Sequence, residues 1–120
     1  MSSAARSVQV FGIYLFGLGS VLMVVPNLLL GAFGLPATGE VWIRVVGVLV
    51  LCLAVYYTQA ARREIREFFG WTVFVRCFVF VCLAALPLLR LGPPQLALFG
   101  SVDLAGAVWT VVALRRTAGA

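Results

Sequence analysis

The sequence predicts an all-α integral membrane protein: a four-helix bundle in one transmembrane domain, residues 1–120, with both termini in the cytoplasm. Of the 120 residues, 63% are hydrophobic and only 11% are charged. The apolar residues gather in four stretches, each close to the ~20 residues that cross a bilayer. A soluble domain this short buries only about two-thirds of its surface. The composition therefore excludes a soluble monomer, a disordered chain and a secreted disulfide scaffold.

The first predicted helix covers residues 8–30. Its apolar run is too long for a signal peptide, and no clear small-x-small cleavage site follows at the right distance, so we expect it to be retained. Pro26-Asn27 interrupts this run and Phe33-Gly34-Leu35-Pro36 closes it. Residues 31–39 are predicted to form an outer loop.

The other predicted helices cover residues 41–61, 68–89 and 95–114. A charged segment, residues 62–67, separates the second helix from the third. Before the fourth, Leu91-Gly92-Pro93-Pro94 forms a tight break, because proline cannot continue a helix and suits the start of the next one. These stretches are too long and too continuously apolar for the alternating strands of a lipid-facing barrel.

Arginine placement predicts the orientation. If the four helices alternate, six arginines fall on one side: Arg6, Arg62, Arg63, Arg66, Arg115 and Arg116. The opposite side has Arg90, with Arg44 just inside its helix. The positive-inside rule then places both termini in the cytoplasm. Trp71 lies near the inner boundary and Trp42 near the outer one, where aromatic residues anchor helices among headgroups.

The charge of this chain indicates lipid partners. The formal net charge is +5, and all nine cations are arginines, because the sequence has neither lysine nor histidine. Most of these arginines flank or interrupt apolar runs and form no face with aromatic stacking partners, which argues against nucleic acid. Anionic lipid headgroups are the simpler partner. The sequence therefore predicts membrane lipids as partners, and no nucleic acid.

The sequence predicts no metal or cofactor. Cys52, Cys77 and Cys82 lie in apolar stretches, where we expect small buried side chains; there is no CxxC motif and no histidine to complete a zinc site. The absence of histidine also removes haem ligation of the usual kind. Walker, GxGxxG, GxSxG and HExxH motifs are all missing.

Four ionisable side chains lie inside or at the edge of apolar helices: Arg44, Arg76, Arg90 and Asp103. A charge at the hydrocarbon centre costs ~2.5–3.5 kcal/mol, so these groups should face one another or a wet cavity. Helical periodicity supports a shared interior, since each helix collects its polar groups on one stripe. The stripes are Glu40, Arg44, Gly47, Leu51, Val55 and Thr58; Thr72, Arg76, Leu83, Pro87 and Arg90; and Phe99, Asp103, Gly106, Ala107, Thr110 and Leu114.

The expected central pair is Arg44 with Asp103, with Glu40 and Arg90 closing the outer mouth of the site. Glu40 and Arg44 are spaced i, i+4 in the favourable acid-then-base order. Arg76 lies lower, near Thr72, Thr58 and Gln59, or extends toward the cytoplasmic side. Two interpretations stay open. The charges either fasten the bundle or form a site for a ligand, an ion or a proton.

Glycines follow the same stripes. Gly12 and Gly19 repeat on one side of the first helix, Gly47 lies beside Arg44, and Gly100 and Gly106 bracket Asp103. Small residues let helix backbones approach closely in lipid, which favours a packing role. The alternative is that Gly47 and Gly106 leave room for a ligand beside the charged residues.

Several short motifs together resemble small bacterial membrane proteins with four transmembrane helices, loosely similar to the DoxX-like group. They are Pro26 with Phe33-Gly34-Leu35-Pro36, Glu40-Val41-Trp42-Ile43-Arg44-Val45-Val46-Gly47, Tyr56-Tyr57, Ala60-Ala61-Arg62, and Phe99-Gly100-Ser101-Val102-Asp103-Leu104. The resemblance covers nearly the whole chain and implies a four-helix bundle in the bacterial inner membrane. It brings no assigned activity. Small multidrug transporters match in length, but they depend on an acidic residue in their first helix, which this chain lacks.

The leading functional hypothesis is a membrane protein that binds a lipophilic small molecule and transforms it at Glu40, Arg44 and Asp103. The other predicted pocket residues are Arg76, Arg90, Thr110, Thr58, Thr72, Gly47 and Gly106. One carboxylate would remove a proton and the other, kept protonated by burial, would donate one. Epoxide opening, isomerisation or cyclisation would fit. The alternatives are a proton-coupled transporter with Asp103 as the carrier and an accessory subunit of a membrane complex. Whether the chain assembles as a homo-oligomer or with another membrane protein stays open.

Overall fold

The computed structural model describes residues 1–119, with side chains up to residue 116, and it is all-helical as predicted. Within this part of the chain there are five helices: α1 (Ser3–Val24), α2 (Pro26–Ala32), α3 (Trp42–Arg62), α4 (Arg66–Leu88) and α5 (Gln95–Gly119). All but α2 are long and apolar enough to cross a membrane, with the candidate span of α5 ending at Arg116. Three of the four predicted apolar segments therefore form single helices with shifted ends, and the first is divided.

The largest difference concerns the first predicted helix. Residues 8–30 do not form one helix, because α1 begins earlier, at Ser3, and ends at Val24 before α2 starts at Pro26. Pro26 has no N–H and its ring disfavours helical geometry at the preceding residue, so Val25 adopts φ −135° and ψ 61°. The Val25 N–H still bonds to the Val21 carbonyl at 2.9 Å. Pro26 then suits the first position of α2.

The segment between α2 and α3 is closed by one side chain. Asn27 Nδ2 donates to the Thr38 carbonyl at 3.1 Å, and the Thr38 N–H donates to Asn27 Oδ1 at 2.8 Å. Gly34 has φ +70°, a left-handed conformation that glycine adopts without strain. These bonds fix the chain that leads into α3 at Trp42.

The described residues fall into two compact units. We call Met1–Val8, together with the chain from Ala60 on, the terminal unit, and Gln9–Gln59 the internal unit. In the terminal unit α4 packs on α5. A Cβ on Gly100 would lie 3.2 Å from Leu83 Cβ and 3.3 Å from Phe80 Cα, so the two helices approach closely at this glycine.

In the internal unit, α1 and α3 touch through their backbones at glycines. A Cβ on Gly47 would lie 2.6 Å from the Met23 nitrogen and 2.8 Å from the Gly19 carbonyl oxygen. A Cβ on Gly12 would lie 2.8 Å from Thr58 Cγ2. The glycine stripe of α1 therefore has the packing role expected of small residues between membrane helices. The space above Gly47 is filled by the backbone of α1.

Candidate functional site

Arg76 is the most deeply buried charged residue that the structure describes, with 1% of its surface exposed. Its Nη2 donates to Thr110 Oγ1 at 2.9 Å and to Thr72 Oγ1 at 3.0 Å, while Nε donates to the Thr72 carbonyl at 3.2 Å. The side chain thus runs one turn back toward the start of α4, the direction that helical side chains prefer. Of the three residues expected near Arg76, Thr72 forms these bonds, whereas Thr58 and Gln59 belong to the internal unit.

A chain of hydroxyl groups extends from the Arg76 guanidinium. Arginine only donates, so Thr72 and Thr110 accept from it and must pass their own hydrogens on. Thr72 donates to the Phe69 carbonyl at 2.7 Å. Ser7 Oγ lies 2.7 Å from the Ala4 carbonyl, to which it can donate, and 2.8 Å from Thr110 Oγ1, in a bond where either hydroxyl could be the donor.

This chain links three helices of the terminal unit through polar atoms. Ser7 comes from α1, Thr72 and Arg76 from α4, and Thr110 from α5. The Gly106 carbonyl, 3.1 Å from Thr110 Oγ1, is a second acceptor for the threonine hydrogen. The hydroxyl hydrogens point away from the cation, and the chain of hydrogen bonds ends on helix carbonyls. These hydrogen bonds stabilise a guanidinium inside an apolar unit.

Asp103 is the acidic group of the same unit. It is half-buried in α5, on the face that also presents Thr110 two turns later. Arg76 is the cation whose field acts on the Asp103 carboxylate. Within the described residues of the terminal unit, Asp103 forms no hydrogen bond and no ion pair within 4 Å. The site therefore combines Arg76, held by its hydrogen bonds, with the Asp103 carboxylate, which accepts no hydrogen bond from the described side chains of the terminal unit.

Arg44, the predicted partner of Asp103, has a different role within the internal unit. Its Nη1 donates to the Met23 carbonyl at 2.6 Å and to the Val24 carbonyl at 3.0 Å. Carbonyls in the last turn of a helix lack intrahelical donors. Pro26 adds to this shortage because it has no N–H. Arg44 therefore caps the end of α1, and its side chain is exposed.

Glu40 and Arg90 lie outside the helices. The i, i+4 spacing predicted that Glu40 and Arg44 share one helix face. Because α3 begins at Trp42, Glu40 instead precedes the helix. The Glu40 N–H donates to Thr38 Oγ1 at 3.1 Å. Arg90 has φ +60° in the turn after α4. Both side chains are exposed, and neither bonds to a side chain in the described part of the molecule.

The remaining predicted pocket residues divide between the two units. Thr72, Gly106 and Thr110 belong to the Arg76 network of the terminal unit. Thr58 belongs to the internal unit, where its hydroxyl bonds to carbonyls of its own helix, Ala54 at 2.9 Å and Val55 at 3.1 Å. The space beside Gly47 is occupied by the backbone of α1 and leaves no room for a ligand.

Sequence reasoning missed Ser7. It is 1% exposed, although it lies near the start of α1 beside Arg6, where a solvated position would be expected. Its signal is weak: it is a small hydroxyl on the same side of α1 as the buried residues Ala4, Val8 and Phe11. The role of Ser7 in the hydrogen-bond network of Arg76 becomes visible only through its bond to Thr110 on α5.

A second missed feature is a clamp on the start of α1. Glu64 Oε1 accepts from the Ser2 N–H at 2.6 Å, and Oε2 accepts from Ser2 Oγ at 2.7 Å. Ser2 Oγ in turn accepts from the Ala5 N–H at 3.1 Å, as an N-cap does. The backbone bond from Ser2, and then its hydroxyl bond, favour the charged carboxylate and hold the pKa of Glu64 below its usual value.

No family model, curated protein or solved structure matches this chain. The resemblance to the DoxX-like group therefore stays a prediction based on short motifs. Function has to be inferred from the chemistry of the side chains in each unit. The terminal unit carries the stronger signal, because Arg76 and Asp103 are ionisable groups within helices that could span a membrane.

Proposed function

We propose that this chain is a four-span integral membrane protein of the bacterial inner membrane that binds a lipophilic small molecule at Asp103. The observation that carries the proposal is the half-buried Asp103 carboxylate, which has no hydrogen-bond donor among the described residues of the terminal unit, the unit that also holds the buried cation Arg76. An ionised carboxylate only accepts hydrogen bonds. Within a bilayer, such a group needs a proton or a donor from a bound molecule.

The chemistry of Asp103 narrows the ligand. A lipophilic molecule with an amine or hydroxyl group would supply the missing donor, while its apolar body would replace lipid against the helix. Arg76 is already engaged by Thr72 and Thr110, so it acts on the ligand through its charge. A transformation at this site would use Asp103 as the group that takes or returns a proton. The proposed centre is thus Asp103 with Arg76, and Arg44 and Glu40 are not required.

The test compares the molecules that copurify with wild-type protein and with Asp103→Asn. Each protein is extracted in mild detergent and denatured, and the released small molecules are analysed by mass spectrometry. We expect an amine- or hydroxyl-bearing lipophile to be depleted at least about tenfold in Asp103→Asn, the effect of losing about 1.4 kcal/mol of binding. Glu67→Gln, which removes an exposed carboxylate at the start of α4, is the matched control. Identical profiles for all three proteins would refute the proposal.

A second candidate function is proton-coupled transport with Asp103 as the carrier. It is favoured by the incomplete burial of Asp103, which leaves the carboxylate accessible for proton exchange. In proteoliposomes, a transporter should show substrate flux that depends on a pH gradient and disappears in Asp103→Asn. Binding that is equally strong with and without a gradient, and no flux, would leave the binding protein as the better proposal.

The proposed orientation places both termini in the cytoplasm. The clamp between Ser2 and Glu64 supports it, because it joins the start of α1 to the turn between α3 and α4. Arg6 and the charged segment 62–67 then lie at one end of the terminal unit, and the positive-inside rule makes that end cytoplasmic. A single cysteine at Arg63, in a variant without native cysteines, should resist an impermeant thiol reagent in intact cells. A cysteine at Pro93 should react.

A further inference from the structure

The guanidinium of Arg44 is only partly used by the protein. Both hydrogen bonds that it makes within the described residues leave from Nη1, to the Met23 and Val24 carbonyls. Arginine has five N–H donors in a planar fork, so the donors on Nε and Nη2 stay available. No described carboxylate of the internal unit lies within 4 Å of Arg44, and the side chain is exposed. The cation is thus held in place by one nitrogen and presents the others outward.

The position of Arg44 is that of the membrane interface. It lies only about 3 Å along the axis from the start of α3, a helix long and apolar enough to span a bilayer. Trp42, two residues earlier, is 69% exposed, as expected for an aromatic residue among headgroups. The abundant anion at this depth is the lipid phosphate. Phosphate oxygens match the arginine fork in a bidentate geometry.

We infer that Arg44 is a phosphate-binding site that holds the headgroup of an anionic phospholipid against the junction of α1 and α3. The two backbone bonds from Nη1 fix the fork, so that Nε and Nη2 donate to the phosphate oxygens. The internal unit alone carries this inference, which is independent of the site proposed at Asp103.

The experiment uses Trp42 as a reporter of neighbouring lipid. Trp71→Phe and Trp109→Phe, both at exposed positions, leave Trp42 as the single tryptophan of the full chain. The protein is reconstituted in vesicles of phosphatidylglycerol and a phosphate-free galactolipid in equal amounts, with bromine on one lipid or the other. Brominated phosphatidylglycerol should quench Trp42 with about fivefold higher relative association, the factor expected for one arginine beside an anionic surface.

Variants then separate the phosphate site from a general charge effect. Arg44→Gln retains one donor for the α1 carbonyls but loses the charge and the fork, and it should abolish the preference. Arg90→Gln, at another exposed arginine, should preserve it. Raised potassium chloride should weaken the preference in the unmodified sequence, a measurement that does not depend on how any Arg44 variant folds.

The outcomes decide between the sources of phosphate. Equal quenching by both brominated lipids, or a preference that persists in Arg44→Gln with native helix content, would overturn the inference. Millimolar inorganic phosphate should leave the preference unchanged if a lipid headgroup is the ligand. If inorganic phosphate abolishes it, the lipid assignment is overturned, and Arg44 binds the soluble anion.

Discussion

Arg76 and Arg44 both interrupt apolar helices, and the two units accommodate them in different ways. Arg76 is buried and donates to two side-chain hydroxyls, one on its own helix and one on α5. Arg44 is exposed and bonds to backbone carbonyls at the end of a helix that a proline has interrupted. The terminal unit therefore depends on particular polar side chains. The internal unit depends on close backbone approach at glycines and on carbonyls that any helix end provides.

This difference explains which features the sequence reveals. The apolar runs and the break at Pro93 are local signals, so the last three long helices were predictable to within several residues. The first predicted helix ran through Pro26, where the structure ends α1 and begins α2. Partners of buried cations are not local, since a hydroxyl on another helix has no sequence periodicity of its own. The i, i+4 spacing predicted that Arg76 lies near Thr72, and Thr110 was on a predicted polar stripe. The bonds that join Arg76, Thr110 and Ser7 depend on the packing of three helices.

Arg44 illustrates the opposite limit. Its charge and depth invited pairing with an acid, and the sequence offered Asp103 and Glu40. Within the internal unit, the structure gives Arg44 the carbonyls of Met23 and Val24, because α1 ends just before Pro26, and the pairing with Asp103 stays a prediction. Sequence rules state that helix ends leave carbonyls without donors, but they do not tell which distant side chain will reach them. A proline break next to a long cation is the signal that points to such a cap.

The largest expected effect tests the glycine contact of the internal unit. Gly47→Ala adds a Cβ that would meet backbone atoms of Met23 and Gly19 below 3 Å, where no side chain can rotate away. We expect a loss of about 2–3 kcal/mol in the free energy of unfolding, in the range of an overpacked core. Unfolding by sodium dodecyl sulfate in mixed micelles, followed by circular dichroism, measures it. Gly17→Ala, with nothing within 4 Å, is the control and should change stability by less than about 1 kcal/mol.

The next effect tests the hydroxyl chain of the terminal unit. Thr110→Val preserves shape but removes the acceptor of Arg76 and the hydroxyl partner of Ser7. Bonds between membrane helices average about 0.6 kcal/mol and reach about 1.7, while bonds to charged groups contribute about 1.5–3. We therefore expect a loss of about 1–2 kcal/mol in the same unfolding assay.

Thr58→Val is the matched control for this change. The Thr58 hydroxyl bonds only to carbonyls of its own helix among the described residues, and valine preserves the methyl group that faces Gly12. Its expected effect is below about 0.5 kcal/mol. Equal losses for the two threonines would show that Arg76 does not depend on Thr110, and the contrast between the units would fail.

A smaller effect tests the cap at Arg44. Arg44→Met retains much of the side-chain length but removes the donor to the α1 carbonyls, and a cation near a helix end contributes about 0.3–1 kcal/mol. We expect a loss in this range, with Arg44→Lys intermediate. Arg90→Met, whose side chain bonds to no described residue, should leave the free energy of unfolding unchanged. A loss above about 3 kcal/mol for Arg44→Met would instead resemble a buried charge pair.

The smallest effect concerns the exposed clamp between Glu64 and Ser2, whose pH dependence follows from its hydrogen bonds. The lowered pKa of Glu64 in the folded protein means that the clamp is fully formed above the ordinary carboxyl pKa and is lost as pH falls through the lowered value. Protection factors for amide exchange in the first turns of α1 should therefore stay constant at neutral pH and fall in acid. Glu64→Gln, which cannot present two acceptor oxygens to Ser2, should lower them at every pH, whereas Glu67→Gln should not. Protection that is indifferent to both acid and Glu64→Gln would mean that Ser7 and its bond to Thr110 alone hold α1 in the terminal unit.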